Sequence, residues 1–522
     1  MTAPDAGRYL REAAAASPAA TALRHHGTSW SYARLAAEVD RLATELIEDG
    51  CAPGDCVGVL AAKSAWAVAA GQAVMRADAV SVMLDARQPA ARLAAICRDC
   101  DITTLLGDET LLRHADELRA AGVRQLITLG RAERDTSGPA TPPPPPRRGG
   151  TDVATLLYTS GSTGLPKAVQ ITHDNIRQFV AWTLGRFALS TGEVFLSQAH
   201  LSFDISTLDI FSGFAVAGTV VLLDEADAIF PRVVVDTIRA ERVTNIYVVS
   251  SALAALADQG GLLTEPPGPL RRVLYGGEVL PAAVLRRVRD WLPPDAGLHN
   301  VYGPLESNIA TVWSVPAGEK LPDPPPIGRP VPSLRVEIRD PDGAVVPDEQ
   351  VGEIWVSGPT VSPGYWNRPE LTAAKFRHAD GARWYRTGDL GRRGIDGSFS
   401  FHGRSDDLVK RRGFRIELGE IEAAILSVAG ITECAVVGVP VPDAGIRIHA
   451  WFATGAGSDD PSARIRQVLR HHLPAYMFPD AIAELPTLPK TARDKVDRSR
   501  LRELSAVSGP LAIGEVDFRR SS

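Results

Sequence analysis

A short stretch of small and hydroxylated residues near position 160 has the composition of a phosphate-binding loop. Residues 156–169 read LLYTSGSTGLPKAV, an apolar run followed by glycines, hydroxyl residues and a single lysine. Glycines let backbone N–H groups approach an anion, hydroxyl groups add donors, and lysine adds a positive charge. The loop therefore predicts a site for the phosphates of a nucleotide. Its members are Thr159, Ser160, Gly161, Ser162, Thr163, Gly164 and Lys167.

The P-loop of nucleoside triphosphatases is a different motif. It places a glycine directly before the lysine and a serine or threonine directly after it, so that the hydroxyl reaches Mg²⁺. Here Pro166 precedes Lys167 and Ala168 follows it. The sequence therefore excludes a P-loop. For the loop taken alone, a serine- and glycine-rich surface turn remains an alternative.

The composition is that of a globular protein with no marked charge. The chain has 522 residues, of which 45% are hydrophobic and 23% charged, and its net charge is −6. It has no basic stripe for nucleic acid, no apolar run long enough for a bilayer and no secretory signal. We therefore expect a cytoplasmic protein with neither nucleic acid nor membrane as partner. A lone C-x-x-C pair, Cys97 and Cys100, does not predict a metal or redox centre.

Alternating strands and helices must position the loop. Between about residues 150 and 310, the pattern predicts strands at 219–223, 245–250 and 272–275 and helices beginning at Pro231, Ala252 and Pro281. Such alternation is typical of parallel sheets covered by helices. After about residue 404 the pattern of predicted strands and helices changes, and a smaller α+β domain is expected. Its predicted elements are a helix at 419–426, a strand at 447–452 and a helix at 463–471.

Further motifs follow the loop in a fixed order. They read SFDIS (202–206), YGGE (275–278), NVYGPLE (300–306), YRTGDL (385–390), GRSDD (403–407), RGFRIELGEIE (412–422), LPAYMFP (473–479) and KTARDKVDR (490–498). This series resembles the adenylation enzymes of nonribosomal peptide synthesis, in the superfamily of acyl-CoA synthetases and firefly luciferase. The resemblance spans nearly the whole chain. It implies an α/β core at 1–403, with two mostly parallel helix-flanked sheets and a β-barrel-like subdomain, and a mobile α+β lid at 404–522.

The resemblance also implies the reaction. A carboxylate attacks the α-phosphate of ATP, so two anions must be brought together, and cations and oriented donors must offset their repulsion. Lys495 would bridge the substrate carboxylate and the α-phosphate, and Glu306 would hold Mg²⁺. Arg404 would approach the ribose and phosphate, completing the set of expected catalytic residues.

Other residues of the motifs are implied to bind the adenosine. Tyr302 would stack on adenine, and Asp389 would accept both ribose hydroxyls. The remaining expected nucleotide contacts are Gly276, Gly277, Glu278, Asn300 and Gly303.

Asp204 separates amino-acid-activating members from the others. An amino acid carries an ammonium that must be desolvated, and a carboxylate opposite it compensates most directly. A helix N-cap is the structural alternative for this aspartate. The resemblance places the following residues around the substrate: Asp204, Ile205, Leu208, Tyr247, Leu274, Gly276, Val301, Ile309 and Ala310. Because nothing there could pair a charged side chain, we expect a small neutral L-amino acid, proline or alanine-like.

The predicted partner is a separate phosphopantetheinylated carrier protein, since no carrier segment follows Arg498. The lid is expected to rotate about a hinge at Asp406 between the two half-reactions. Three positions depart from the family pattern: Leu305 and Ala168 replace a threonine and a glycine, and Asp494 places an anion beside Lys495. An acyl-CoA ligase, which Asp204 argues against, and an inactive adenylate-binding homologue therefore remain as alternatives.

Overall fold

The computed structural model describes residues 4–109, 113–130, 143–160, 166–318, 321–322, 324–405, 408–441, 445–454, 461–491 and 496–507. Several predicted site residues lie outside these ranges, namely Gly161, Ser162, Thr163, Gly164, Asp406, Asp494 and Lys495.

Strands make up five sheets within the described residues. They are β1 (Thr21–His25), β2 (Thr28–Ser31), β3 (Cys56–Leu60), β4 (Val80–Leu84), β5 (Thr104–Gly107), β6 (Gln125–Thr128), β7 (Val153–Thr159), β8 (Lys167–Thr172), β9 (Val194–Ser197), β10 (Thr219–Leu222), β11 (Asn245–Val249), β12 (Arg272–Gly276), β13 (Gly297–Tyr302), β14 (Thr311–Ser314), β15 (Arg329–Pro330), β16 (Arg335–Arg339), β17 (Val351–Ser357), β18 (Phe376–Ala379), β19 (Ala382–Arg393), β20 (Phe399–Arg404), β21 (Leu408–Arg411), β22 (Phe414–Glu417), β23 (Ile431–Val441), β24 (Gly445–Thr454) and β25 (Ala481–Glu484).

Helices alternate with many of these strands. They are α1 (Arg8–Ala16), α2 (Tyr32–Glu48), α3 (Ala65–Arg76), α4 (Ala90–Asp99), α5 (Ala115–Ala120), α6 (His173–Phe187), α7 (Gly213–Ala215), α8 (Glu225–Ala228), α9 (Pro231–Ala240), α10 (Ser250–Asp258), α11 (Ala282–Trp291), α12 (Pro369–Lys375), α13 (Leu418–Leu426), α14 (Ser462–His472) and α15 (Arg498–Val507). Shorter turns of helix are a π-helical turn at Leu208–Ser212 and 3₁₀ turns at Leu262–Thr264 and Ala475–Met477.

The chain divides into two compact units. The first comprises Met1–Ala86, Cys97–Tyr158 and Ala168–Ser405, and the second comprises Arg87–Ile96, Thr159–Lys167 and Asp406–Ser522.

Two largely parallel sheets form most of the first unit. One has nine strands in the order β15-β14-β13-β12-β11-β9-β10-β1-β2, and the other has six in the order β6-β5-β3-β4-β7-β8. Strands β9 to β13 run parallel, so the loops that follow β11, β12 and β13 leave the same edge of the sheet. Ligands of open α/β sheets bind at this edge. A five-stranded antiparallel sheet (β16 to β20) also belongs to the first unit.

The second unit contains a hairpin of β21 and β22 and a three-stranded sheet in the order β23-β24-β25. Helices α13 and α14 contribute Ile421, Ile425, Ile465 and Leu469 to its main apolar cluster, which also includes residues of β22, β23 and β24. The small α+β pattern predicted after residue 404 is therefore present.

Local sequence accounts for several helix starts near the site. Pro231 occupies the first turn of α9. A backbone N–H at this position has no acceptor within the helix, so the absence of an N–H in proline breaks no hydrogen bond. The Thr172 hydroxyl caps α6 by accepting from the N–H of Asn175, and the side-chain oxygen of Asn175 accepts from the N–H of Thr172. These caps fix where the helices begin relative to the strands before them.

Candidate active site

Three predicted nucleotide-binding residues meet in the first unit. The hydroxyl of Tyr302, at the end of β13, donates to Oδ2 of Asp389 at 2.8 Å. Arg404 donates to the other oxygen of the same carboxylate from β20, which pairs with β19 at this level. Asp389 is 1% exposed. Burial raises the pKa of Tyr302 well above its usual value, and the charge of Asp389 adds to this shift. Tyr302 is therefore a permanent donor to Asp389.

The backbone around Asp389 is held by two residues that sequence reasoning did not assign. The Thr387 hydroxyl accepts from the N–H of Asp389 at 3.0 Å and donates to the carbonyl of Ile354 at 2.8 Å. Glu353 accepts from the N–H of Gly388 at 2.9 Å. The strand pairing shifts register at this point on both sides of β19. Such irregularities re-aim side chains beside functional sites.

Glu306 is fully buried and has a defined partner. Its Oε1 accepts a hydrogen bond from the hydroxyl of Tyr365 at 2.7 Å. The neighbouring Leu305 packs against an apolar cluster. Ser307 donates to the carbonyl oxygens of Pro304 and Asn308, both at 3.3 Å. Its hydroxyl is thus engaged by the local backbone.

The loop after β12 needs its glycines. A side chain at Gly276 would lie 2.2 Å from the carbonyl oxygen of Val301, and Gly277 has a φ of +84°. The buried hydroxyl of Ser250 contacts the carbonyls of Gly276 at 3.2 Å and Glu278 at 2.7 Å, so it holds the loop shape. The sequence did not point to Ser250, because this residue begins α10 and is distant in the chain from the loop after β12.

The turn after β13 is closed even more tightly. A Cβ at Gly303 would lie 1.6 Å from the carbonyl oxygen of Asn308. Asn308 has a φ of 55°, and its side-chain oxygen accepts from the N–H of Ile309 at 2.8 Å. Asn300, one strand residue earlier than Val301, donates to the carbonyl of Pro326 at 2.8 Å. These contacts set the course of the chain through the motif.

Most of the predicted substrate residues lie in one apolar cluster. Its buried members include Leu208, Leu274, Val301, Ile309 and Ala310. Tyr247, on β11, packs against them. Burial raises the pKa of Tyr247 well above its usual value, and the charges of Asp204 and Asp209 raise it further. The phenol therefore stays protonated beside these carboxylates. Gly276 is also buried, and Ile205 is half-buried.

Asp204 is half-buried and lines an open cleft in the first unit. Leu305, Asn308 and Gln72 also line this cleft. Among the described residues that line it, Asp204 is the only member of the predicted substrate set. The predicted apolar substrate residues of the cluster therefore do not line this cleft.

A second buried carboxylate near Tyr247 was not foreseen. Asp209, on the π-helical turn, is 1% exposed, and burial raises its pKa well above the usual value, against the opposing influence of Lys63 and Ser197. Lys63 is equally buried and donates to the carbonyls of Ser197 at 2.7 Å and Gln198 at 2.9 Å. No sequence motif marked either residue.

The described part of the phosphate loop lies in the second unit. The Ser160 hydroxyl donates to the carbonyl of Arg415 at 2.7 Å and accepts from the N–H of Glu417 at 3.0 Å. Lys167 pairs with Glu417 at 3.1 Å. Thr159 ends β7 next to Ser160. These three residues thus share a neighbourhood with the RGFRIELGEIE motif.

Comparison with known proteins decides the family. The family model described as AMP-binding enzyme matches residues 10–366, and that of the AMP-binding enzyme C-terminal domain matches residues 420–495. The chain belongs to the AMP-binding enzyme family. Its relatives include two L-proline–[L-prolyl-carrier protein] ligases. One, from Streptomyces coelicolor, is 35% identical over 90% of this chain and 91% of that protein. The other, from Pseudomonas fluorescens, is 34% identical over 93% of this chain and 96% of that protein.

Among solved structures, the amide bond synthetase McbA from Marinactinospora thermotolerans is similar throughout. It has a TM-score of 0.85 and 27% identity, covering 96% of this chain and 99% of McbA. The predicted family, the α/β fold class and the AMP-forming ligase class are confirmed. AMP-binding enzymes use ATP. Among the described residues, every helix is too short or too polar to serve as a membrane span.

Proposed function

We propose that this AMP-binding enzyme activates a small neutral L-amino acid, proline or alanine-like, with ATP and then loads it onto a carrier protein. The aminoacyl-adenylate would be attacked by the phosphopantetheine thiol of a separate carrier, which forms a thioester and releases AMP. The cluster of Tyr302, Asp389 and Arg404 is the observation that carries the proposal. The names of the two prolyl-carrier ligase relatives support the substrate class and the partner.

The Asp389 cluster suits ribose. A carboxylate offers about four lone-pair sites, and Tyr302 and Arg404 each use one. The same carboxylate would accept from the two hydroxyls of a ribose. Arg404 also keeps a positive charge beside the position expected for the α-phosphate. Tyr302 would offer its ring to adenine, while Gly276, Gly277, Glu278, Asn300 and Gly303 would shape the surrounding loops.

Glu306 fits a magnesium site. Carboxylate and phosphate oxygens are the ligands that Mg²⁺ prefers, and a fully buried carboxylate calls for a compensating cation. Tyr365 fixes the orientation of Glu306 by donating to Oε1. When bound, the ion would neutralise charge on the pyrophosphate that leaves. Glu306 would hold it together with phosphate oxygens.

The amino acid end would be formed by Asp204 and the apolar cluster. Asp204 would pair with the ammonium, and Tyr247, whose phenol stays protonated, would lie beside it. The aliphatic members leave no partner for a charged side chain, which supports a neutral substrate. A single methylene changes binding by only about 1–3 kcal/mol, so proline and alanine would be poorly separated.

Lys495 would supply the positive charge between the two anions, and residues 404–522 would act as a lid hinged at Asp406. The lid would remove Lys495 after adenylation and admit the carrier thiol. Lys167, Thr159, Ser160, Gly161, Ser162, Thr163 and Gly164 would contact the phosphates.

Exchange of pyrophosphate into ATP tests the proposal directly. Exchange supported by L-proline or L-alanine is expected, and Lys495→Ala, which alters the attacking step alone, should abolish it while the protein stays folded. Transfer of the aminoacyl group to a phosphopantetheinylated carrier is then read by intact mass.

Three other outcomes would redirect the assignment. Exchange only with fatty or aryl acids would indicate an acyl-CoA ligase. No exchange with any acid would indicate an inactive adenylate-binding homologue. Unchanged exchange in Lys495→Ala would show that this lysine is misassigned.

A further inference from the structure

Two adjacent histidines and an aspartate form a compact group at the edge of the nine-stranded sheet. Nε2 of His25 lies 2.5 Å from Oδ1 of Asp224, and Nε2 of His26 lies 2.6 Å from Oδ2 of the same carboxylate. His25 ends β1, and Asp224 follows β10, with which β1 pairs. The group belongs to the first unit, and none of its members has a part in the reaction proposed above.

The backbone places both rings on one side. Neighbouring residues of a strand normally point to opposite faces. His26 has a φ of 46° and is followed by Gly27 with a φ of 72°, so the chain reverses there in left-handed conformations. A non-glycine residue adopts this conformation only at a cost. As a result the two ring centroids are 4.5 Å apart and both face Asp224.

The ligand atoms suit a transition metal. One nitrogen from each histidine and one oxygen of Asp224 all lie within 4.8 Å of one another. Zn²⁺ binds such atoms at about 2.0–2.2 Å, so ligands around a tetrahedral ion are roughly 3.4 Å apart. Small rotations of the side chains would open the present hydrogen bonds to that spacing. The side chains of His25, His26 and Asp224 are 22%, 58% and 30% exposed, so an ion in solution can reach them.

We propose that His25, His26 and Asp224 bind one divalent transition-metal ion of the Zn²⁺ class, with water completing the coordination. Two imidazoles and a carboxylate favour Zn²⁺, Co²⁺ or Ni²⁺ over Mg²⁺, which prefers oxygen ligands. The ion joins the β1–β2 turn to the end of β10, two segments separated by 199 positions between His25 and Asp224. It therefore cross-links β10 to the β1–β2 hairpin at the edge of the sheet, where β2 is the outermost strand.

Metal titration of tag-free full-length protein tests the site. Co²⁺ is added to the protein and followed by its visible absorption, and Zn²⁺ is then added as a competitor. One Co²⁺ per chain is expected, displaced by Zn²⁺. His26→Ala and Asp224→Asn should each weaken Co²⁺ binding by at least about tenfold, because removing one of three protein ligands removes much of the affinity.

The chain offers a matched control. His471 and His472 are also adjacent, with ring centroids 4.7 Å apart, but no carboxylate among the described residues completes a metal group with them. His472→Ala should therefore leave Co²⁺ binding unchanged. Binding that survives in both His26→Ala and Asp224→Asn, or is lost equally in His472→Ala, would overturn the proposal. Far-ultraviolet circular dichroism and pyrophosphate exchange confirm that each variant is folded, independently of metal binding.

Discussion

Asp389 and Asp209 are two carboxylates with the same exposure, 1%, in very different surroundings. Asp389 receives hydrogen bonds from Tyr302 and Arg404, and its backbone N–H donates to the hydroxyl of Thr387. Among the described residues, the oxygens of Asp209 have no hydrogen-bond partner of good geometry, although Ser197 and Lys63 lie near enough to favour its charge. The two carboxylates thus differ in the donors around them and not in their burial.

Asp204 lies between these extremes, being half-buried and lining the cleft. If it pairs with an ammonium, Asp204→Ala leaves that charge uncompensated, which costs about 3–5 kcal/mol for a buried pair. Because Asp204 is only half-buried, we expect the lower end, a rise in the amino acid KM of roughly 100-fold. Pyrophosphate exchange at saturating ATP measures it. The ATP KM should not change, and an unaltered amino acid KM would remove Asp204 from the ammonium site.

Asp389→Asn should affect the KM for ATP and not the KM for the amino acid. Hydrogen bonds to charged groups contribute about 1.5–3 kcal/mol, so the ATP KM should rise roughly 10- to 100-fold. The amino acid KM should stay near the wild-type value. The two variants control each other, since each should raise a different KM, whereas a loss of folded protein would lower the maximal exchange rate and leave both constants unchanged. An ATP KM within twofold of wild type would exclude ribose recognition by Asp389.

Asp209→Asn should change stability rather than substrate binding. Because burial raises the pKa of Asp209 in the folded protein, the carboxyl ionises more easily in the unfolded chain. Wild-type stability therefore falls as pH rises from about 4 towards the folded pKa, by up to about 1.4 kcal/mol per pH unit. The variant lacks this loss, so its unfolding free energy relative to wild type should increase between pH 5 and pH 8.

Urea unfolding followed by tryptophan fluorescence gives these values, with Asp389→Asn as the control of equal burial. A variant that is less stable than wild type by a larger margin at pH 8 would show that Asp209 is ionised and held by Lys63.

Glu417→Gln should have the smallest effect. Glu417 forms an ion pair with Lys167, in which Oε1 lies 3.1 Å from Nζ. If Lys167 binds phosphate, removing the charge of this competing partner should lower the ATP KM by roughly two- to fivefold, which corresponds to up to about 1 kcal/mol. Glu422→Gln is the control, because Glu422 pairs with Arg498 instead. A raised ATP KM in Glu417→Gln, with an unchanged value in Glu422→Gln, would show instead that Glu417 helps Lys167 to bind ATP.

Much of the fold was predictable because its signals are local. Pro231 opens α9, and the apolar run at 272–275 forms β12, since helix starts and buried strands leave marks within a few residues. The motif residues Tyr302, Asp389 and Arg404 were also assigned from sequence. Their roles stay a prediction, but their convergence is a feature of the structure.

What escaped prediction depends on contacts between distant segments. Glu353 and Thr387 meet only through the pairing of β17 with β19, and Ser250 reaches the loop after β12 from a helix. The π-helical turn at Leu208–Ser212 is too short for a hydrophobic periodicity that would predict it. Asp389 was assigned because it lies in the YRTGDL motif, whereas Asp209 stands in an apolar stretch that no motif marks.

The contact of Gly303 with the carbonyl of Asn308 matters for anyone redesigning substrate choice. With only 1.6 Å available for a Cβ, this glycine cannot be randomised without breaking the turn that carries Val301, Ile309 and Ala310. A mutant library should therefore vary those three neighbours and keep Gly303 and Asn308 constant. Such a library would change the side chains proposed to line the substrate site and leave the backbone of the turn intact.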